Sequence, residues 1–195
     1  MADRIVVPGS RDVRAILDGP DAARALVVAC PPHPQMGGSR TDSRLVAVAD
    51  ALAAHSIATL RFDYGPWDEG RGEVSDAVSA CQWARERYDR VGLFGYSFGG
   101  GVATLAASEA LPDALSVVAP VSTLGDRDVA SAMADYSGPV QVLYGERDDT
   151  VDSQSVVVAA REHGATVRAI SGDHFFVGQR DRVGESVGTW LATTL

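Results

Sequence analysis

The chain has 195 residues, a length that favours a single globular domain. Hydrophobic residues make up 46% and charged residues 22% of it, which suits a packed core and excludes a disordered or collagen-like chain. No apolar run reaches the ~18 residues that a membrane-spanning helix needs, and the first ten residues lack the pattern of a secretory signal. We therefore expect a cytoplasmic protein without a membrane partner, in which Cys30 and Cys81 are reduced and buried.

The charge distribution argues against a nucleic-acid partner. The net charge is −9, and no basic stripe is present that could displace counterions from phosphates. All 17 basic residues are arginine, and aspartate is far commoner than glutamate. This composition is typical of proteins from salt-loving archaea, and codon bias in a GC-rich bacterium is the alternative. Neither interpretation decides the function.

The predicted elements begin with a hairpin and continue as strands that alternate with helices. Strands are predicted at 5–7, 13–17, 25–29, 57–62, 90–95, 116–121, 140–144 and 166–170. Helices are predicted at 40–54, 73–88, 100–108, 129–134, 151–162 and 175–195. This alternation requires right-handed crossovers between parallel strands. We expect one α/β domain over 1–195, with a mostly parallel sheet of seven or eight strands and helices on both faces.

A serine between two glycines follows the predicted strand 90–95. The run Gly-Tyr-Ser-Phe-Gly at 95–99 has the form Gly-x-Ser-x-Gly, which places a serine on a tight strand-to-helix turn near the positive end of a helix. A second copy around Ser186 has no strand before it, and we interpret it as structural. A dinucleotide-binding loop is disfavoured because Ser97 stands where the second glycine would be. Ser97 is therefore the predicted nucleophile.

A serine hydroxyl becomes a good nucleophile only when a base removes its proton. His174 follows the last predicted strand, and we predict that it is this base. His55 and His163 lie at predicted helix ends and are expected to be solvated. His33 lies in the loop after the third strand, which is too early in the chain for the base.

An acidic side chain must orient the base and stabilise its protonated form. Asp148, after the predicted strand 140–144, is the first candidate, and Asp149 is its nearest alternative. Asp152 is expected to cap the following helix. Asp173 is adjacent to His174 and therefore too close in sequence to reach its ring.

The chain resembles the α/β-hydrolase superfamily over nearly all of its length. The resemblance rests on the run at 95–99, on Gly-x-x-Asp-x-x-Val at 145–151 and on Gly-Asp-His-Phe at 172–175. In addition, Cys-Pro-Pro-His-Pro-Gln-Met-Gly-Gly at 30–38 is similar to a loop of small dienelactone-hydrolase-like members. Dienelactone hydrolases proper use a cysteine nucleophile, so Ser97 favours a serine esterase. The loop at 63–70 departs from the usual Asp-x-Arg-Gly-x-Gly-x-Ser pattern.

The resemblance implies an oxyanion hole with two backbone N–H donors. One is expected from Phe98, the residue after the nucleophile, and the other from the loop after the third strand. Pro34 has no N–H, which leaves Gln35 as the first choice and Met36 as the second.

Three residues are candidates for substrate binding, namely His33, Tyr64 and Trp67. Tyr64 and Trp67 would line an acyl pocket, and packing in the core beside Phe62 is the alternative. Only residues 122–138 lie between two predicted strands where relatives insert a cap, so we expect no cap domain and an open site.

The expected activity is hydrolysis of ester or thioester bonds in small acyl substrates through an acyl-enzyme on Ser97. An acyltransferase and a catalytically idle binding protein of the same fold are the alternatives. We expect no cofactor and no metal, because no group of residues has ligand spacing. The sequence does not determine the oligomeric state.

Overall fold

The fold was obtained as a computed structural model, which describes residues 3–9, 11 and 13–195. Residues 1, 2, 10 and 12 of the predicted 1–195 domain lie outside the described residues. The strands are β1 (Asp3–Val7), β2 (Val13–Asp18), β3 (Ala25–Cys30), β4 (Ala58–Phe62), β5 (Arg90–Tyr96), β6 (Ala114–Val118), β7 (Thr123–Leu124), β8 (Arg127–Asp128), β9 (Val140–Gly145) and β10 (Thr166–Ile170). The helices are α1 (Ser43–Ala54), α2 (Arg71–Arg85), α3 (Phe98–Ala110), α4 (Val129–Met133), α5 (Gln154–Glu162) and α6 (Arg180–Thr194).

Eight strands form the main sheet in the order β1-β2-β4-β3-β5-β6-β9-β10. Strand β2 pairs antiparallel with β1 and β4. All other neighbours in this order are parallel, from β4 through β3, β5, β6 and β9 to β10. The strand order reverses between β3 and β5, and ligands bind at such a switch point, beyond the carboxyl ends of the strands. The predicted α/β fold with a mostly parallel sheet of seven or eight strands is confirmed.

Helices cover both faces of the sheet because its central strands are apolar on both sides. In β3, Leu26 and Val28 pack in one core cluster, whereas Val27 and Ala29 pack in the other. The first cluster takes its helical residues from α2, α3, α4 and α5, and the second takes them from α1 and α6. Cys30 and Cys81 are buried and free, as predicted.

Several element boundaries differ from the sequence prediction, and backbone geometry explains two of these differences. Helix α6 begins at Arg180 instead of residue 175, because Phe176 has a φ of 51° that no helix tolerates. Strand β6 ends at Val118 because Ala119 has a φ of 45° and Pro120 has no N–H to pair. The short β7–β8 ladder, which the prediction of at most eight strands omitted, forms a separate two-stranded sheet.

Only the β7–β8 ladder and α4 lie between β6 and β9, so this segment forms no cap domain. Within the described ranges, no helix is long and apolar enough to cross a membrane.

Candidate active site

The predicted nucleophile lies on a strained turn between β5 and α3. Ser97 has φ 58° and ψ −121°, a backbone conformation that L-residues rarely adopt. Its neighbours must be small: a Cβ atom on Gly95 would lie 2.0 Å from the carbonyl oxygen of Gly99. The glycines of the motif therefore allow the sharp turn that presents the serine at the end of the central strand.

Three of the predicted residues form one hydrogen-bonded chain at the carboxyl ends of the strands. His174 Nε2 lies 2.9 Å from Ser97 Oγ, and His174 Nδ1 lies 2.7 Å from Asp148 Oδ2. Because a carboxylate only accepts, the imidazole donates Nδ1–H to Asp148 and its Nε2 is free to accept from Ser97. The side chains of His174 and Asp148 are 5% and 3% exposed, so water barely competes for these bonds.

The Asp148 side chain also holds its own loop. Its Oδ1 accepts the backbone N–H of Thr150 at 3.0 Å and of Val151 at 3.1 Å, which leaves Oδ2 for the histidine. Two of the other acidic candidates are occupied elsewhere. Asp152 accepts the N–H of Gln154 at the start of α5, and Asp173 accepts the N–H of Phe175.

The remaining histidine and serine candidates lie away from these hydrogen-bonded side chains. His55 and His163 follow the last residues of α1 and α5, and Ser186 of the second Gly-x-Ser-x-Gly run lies within α6. The structure therefore brings together Ser97, Asp148 and His174 but none of these alternatives.

The geometry around the expected oxyanion donors favours Gln35 over Met36. The N–H of Met36 donates to the carbonyl of His33 at 3.0 Å, which corrects its placement as a second-choice donor. The N–H groups of Gln35 and Phe98 have no acceptor among the described residues. The loop is tightly folded, since a Cβ on Gly38 would lie 2.2 Å from the Pro32 carbonyl oxygen.

A cleft of about 310 Å³ opens at Ser97. Apolar side chains form much of its wall, and they come from five separate segments of the chain: Met36, Phe98, Val121, Val151 and Phe175. A groove of about 830 Å³ lies between α4 and α5, but Ser97, Asp148 and His174 do not line it. We therefore place the candidate site in the smaller cleft. No three His, Cys, Asp or Glu side chains of the described chain are grouped as metal ligands would be.

The three predicted substrate-binding residues have different positions. His33 lines the cleft, and its ring lies 4.8 Å from the rings of both Trp67 and Phe98. Burial lowers the pKa of His33, and the carboxylate of Glu73 opposes this shift.

Tyr64 and Trp67 do not line the cleft, which corrects the expectation that they form its wall. The phenol of Tyr64 donates to the Pro31 carbonyl at 3.0 Å and so braces the loop after β3. Trp67, 38% exposed, stacks on His33 from outside the cleft wall.

Sequence reasoning missed four polar residues of the wall, namely Asp42, Arg44, Tyr96 and Thr150. Tyr96 lies inside the Gly-x-Ser-x-Gly run, so the motif itself contained the signal. Arg44 belongs to the first turn of α1, and no periodicity or motif connects that turn with the serine.

The comparisons with known proteins agree with this fold. Residues 49–170 match the dienelactone hydrolase family. Uncharacterized protein RP471 of Rickettsia prowazekii is 25% identical over an alignment of 194 residues. The alignment covers 89% of this chain and 80% of that protein. XC6422 from Xanthomonas campestris, an α/β serine hydrolase without a lid, superposes with a TM-score of 0.81 and 25% identity over 97% of this chain and 94% of that one.

Est1E from Butyrivibrio proteoclasticus shares the fold, with a TM-score of 0.85 and 18% identity over 98% of each chain. The family match spans more than half of the chain and includes β5 and the serine turn. The chain therefore belongs to the dienelactone hydrolase family of α/β-hydrolase enzymes.

Proposed function

We propose that the protein is a serine hydrolase that cleaves ester or thioester bonds of small acyl substrates. The observation that carries the proposal is the hydrogen-bonded chain from Asp148 through His174 to Ser97, with contacts of 2.7 and 2.9 Å. A serine on a strained turn, a buried histidine beside it and a carboxylate behind the histidine are the parts that acyl transfer requires. The likeness to XC6422, a serine hydrolase without a lid, supports it.

In the first half of the reaction, His174 Nε2 accepts the proton of Ser97 as the serine oxygen attacks the substrate carbonyl carbon. The carbonyl oxygen gains a negative charge, which the N–H groups of Phe98 and Gln35 stabilise. The bond to the leaving alcohol or thiol then breaks, and His174 gives the proton to it. The acyl group remains on Ser97 as an ester.

In the second half, water takes the position of the leaving group. The water oxygen attacks the carbonyl carbon of the acyl-enzyme while His174 accepts a proton from the water. His174 then returns this proton to the Ser97 oxygen as the acid departs. Asp148 holds the Nδ1–H of His174 throughout and stabilises the imidazolium that forms in each half. This sequence needs no cofactor, since the chain supplies both the nucleophile and the proton carrier.

The cleft favours small acyl groups with an apolar part. Its volume is about 310 Å³, at the small end of the range for ligand sites. Its apolar wall offers contacts to hydrocarbon, and its position at the serine leaves one side open to water and to the leaving group.

The test is hydrolysis of p-nitrophenyl esters with acyl chains of two to sixteen carbons. Assays are run at low and at multimolar salt, because the arginine- and aspartate-rich composition favours a salt-adapted protein. The matched variants are Ser97→Ala and Ser186→Ala, since both remove a serine from a Gly-x-Ser-x-Gly run. We expect Ser97→Ala to lower kcat by about 10⁶-fold and Ser186→Ala to leave it unchanged.

Two outcomes would contradict the proposal. One is folded wild-type protein that hydrolyses no ester in either salt condition. The other is turnover that survives Ser97→Ala. Faster product formation on adding an alcohol or amine would instead identify acyl transfer as the main reaction of the same acyl-enzyme.

A further inference from the structure

The segment that holds His174 has little regular structure of its own. Residues 171–179 connect β10 to α6, and their backbone bonds include Phe176 N to the Asp173 carbonyl and Gln179 N to the Phe176 carbonyl. Phe176 has a positive φ of 51°. A catalytic base must nevertheless keep its ring in one orientation to serve two bonds at once. Contacts from more rigid elements must therefore help to hold it.

Tyr96 provides two of these contacts. It is the last residue of the central strand β5 and is 1% exposed. Its phenol donates to the His174 backbone carbonyl at 2.9 Å, and its ring lies 5.6 Å from the imidazole at an interplanar angle of 28°. Because Tyr96 directly precedes Ser97, one strand end both presents the serine and holds the histidine.

The phenol of Tyr96 remains a donor over the pH range of any ordinary assay. Burial raises the pKa of Tyr96 to about 12, so the hydroxyl stays protonated. The contact to the His174 carbonyl thus does not depend on pH under working conditions.

Arg44 reaches Tyr96 from another element. Its guanidinium carbon lies 4.6 Å from the centre of the Tyr96 ring, a cation–π distance. Its Nη2 donates to Asp42 at 2.7 Å, which fixes the guanidinium at the start of α1. Its Nε is buried and has no acceptor in the described part of the chain. An unpaired buried N–H is costly, and the electron-rich ring is a second favourable partner of this cation, besides the carboxylate of Asp42.

We propose that Tyr96 and Arg44 are positioning residues for His174, with Tyr96 fixing the histidine and Arg44 fixing the Tyr96 ring. The inference rests on the proposed function, in which His174 is the general base. The phenol contacts the backbone of the base and takes no part in the chemistry. Its loss should therefore lower kcat while the KM stays nearly constant.

The experiment compares Tyr96→Phe with Tyr136→Phe. The two tyrosines are matched, because Tyr136 is 3% exposed and its phenol also donates to a backbone carbonyl, that of Pro112 at 2.7 Å. Each variant loses one buried hydrogen bond and keeps its ring. We expect similar decreases in Tm, but only Tyr96→Phe should lower kcat, by about 10-fold, with a KM within twofold of wild type.

A second pair of variants tests the arginine. Arg44→Met removes the charge from the Tyr96 ring, whereas Arg44→Lys keeps a cation there. Arg87→Met is the matched control, because the Arg87 guanidinium lies 4.4 Å from the Trp83 ring on another surface. We expect Arg44→Met to lower kcat several-fold, Arg44→Lys to recover part of the loss and Arg87→Met to have no effect.

An NMR measurement keeps this inference separate from the proposed function. The Nδ1–H proton of His174, held by Asp148, should give a sharp low-field signal in wild type. It should broaden in Tyr96→Phe and stay sharp in Tyr136→Phe, whether or not an ester is turned over. Equal kcat values for the two tyrosine variants, or an unchanged signal in Tyr96→Phe, would overturn the positioning role. Absence of any turnover that depends on Ser97 would overturn only the proposed function.

Discussion

Gly99 lies so close to the loop after β3 that a Cβ atom on it would stand 2.2 Å from the Cys30 carbonyl oxygen. The Pro31 carbonyl oxygen would be 2.4 Å away, so backbone blocks the space on this side. This approach joins the start of α3, which carries the Phe98 N–H, to the loop that carries the Gln35 N–H. The glycine thereby lets the two expected oxyanion donors come from neighbouring backbone segments.

Gly99→Ala should separate these two segments. The added methyl meets carbonyl oxygens instead of flexible side chains, so the backbone has to shift. We expect a loss of about 1–3 kcal/mol in the free energy of unfolding and a lower kcat on short-chain esters. Denaturant unfolding and ester hydrolysis measure the two effects. Gly172→Ala is the control, because the nearest atom to its added methyl lies 3.5 Å away, at ordinary contact distance.

Asp148→Asn should lower kcat on esters by about 10⁴-fold without unfolding the protein. The amide oxygen can still accept the N–H groups of Thr150 and Val151, so the loop stays in place. The amide NH₂ then faces His174 Nδ1 and favours the tautomer whose Nε2 carries the proton, which prevents it from accepting the proton of Ser97.

Asp149→Asn is the matched control for this prediction. Asp149 is the exposed neighbour of Asp148, and the substitution makes the same change of charge. It should leave kcat within twofold of wild type. Equal losses in the two variants would mean that charge in this loop matters, and not the bond to the histidine.

The sequence predicted the fold class correctly because the alternation of apolar strands and helices admits few arrangements. It also predicted which side chains meet, since the carboxyl ends of parallel strands lie at one edge of the sheet. Ser97, Asp148 and His174 each follow such a strand, and their roles in catalysis stay predictions.

The rest of the site depends on contacts that no periodicity encodes. Tyr64 was expected to line a pocket, but its phenol bonds to the carbonyl of Pro31, a residue 33 positions earlier in the chain. Met36 is not placed as an oxyanion donor, because its backbone N–H donates to the His33 carbonyl within a short turn. Arg44 reaches the cleft from the start of a helix whose buried residues are Leu45, Val48, Ala49 and Leu52.

Met36 and Phe175 should determine the preferred acyl chain length. They line the cleft but are 82% and 52% exposed, unlike most large apolar residues of the described chain. Each methylene buried against them is worth about 0.8 kcal/mol. In Met36→Ala and Phe175→Ala, kcat/KM should fall about 10-fold for octanoyl esters, a loss of about 1.4 kcal/mol, and stay nearly constant for acetyl esters.

Val158→Ala provides the control for chain length. Val158 is also an exposed apolar residue, at 43%, but it lies on α5 outside the cleft. Its substitution should leave the ratio of octanoyl to acetyl turnover unchanged. If all three variants change the ratio equally, general surface hydrophobicity and not the cleft wall selects the substrate.

His33 should make the protein less stable as the pH falls through about 6.5. Burial lowers the pKa of His33 in the folded state from this usual value, so the unfolded chain takes up its proton first. The free energy of unfolding therefore decreases between the unfolded and the folded pKa and levels off below the folded one. In His33→Gln this contribution disappears. The free energy of unfolding of the wild type minus that of the variant, measured with urea, should be larger at pH 7.5 than at pH 5.5. A difference that stays constant with pH would contradict the effect.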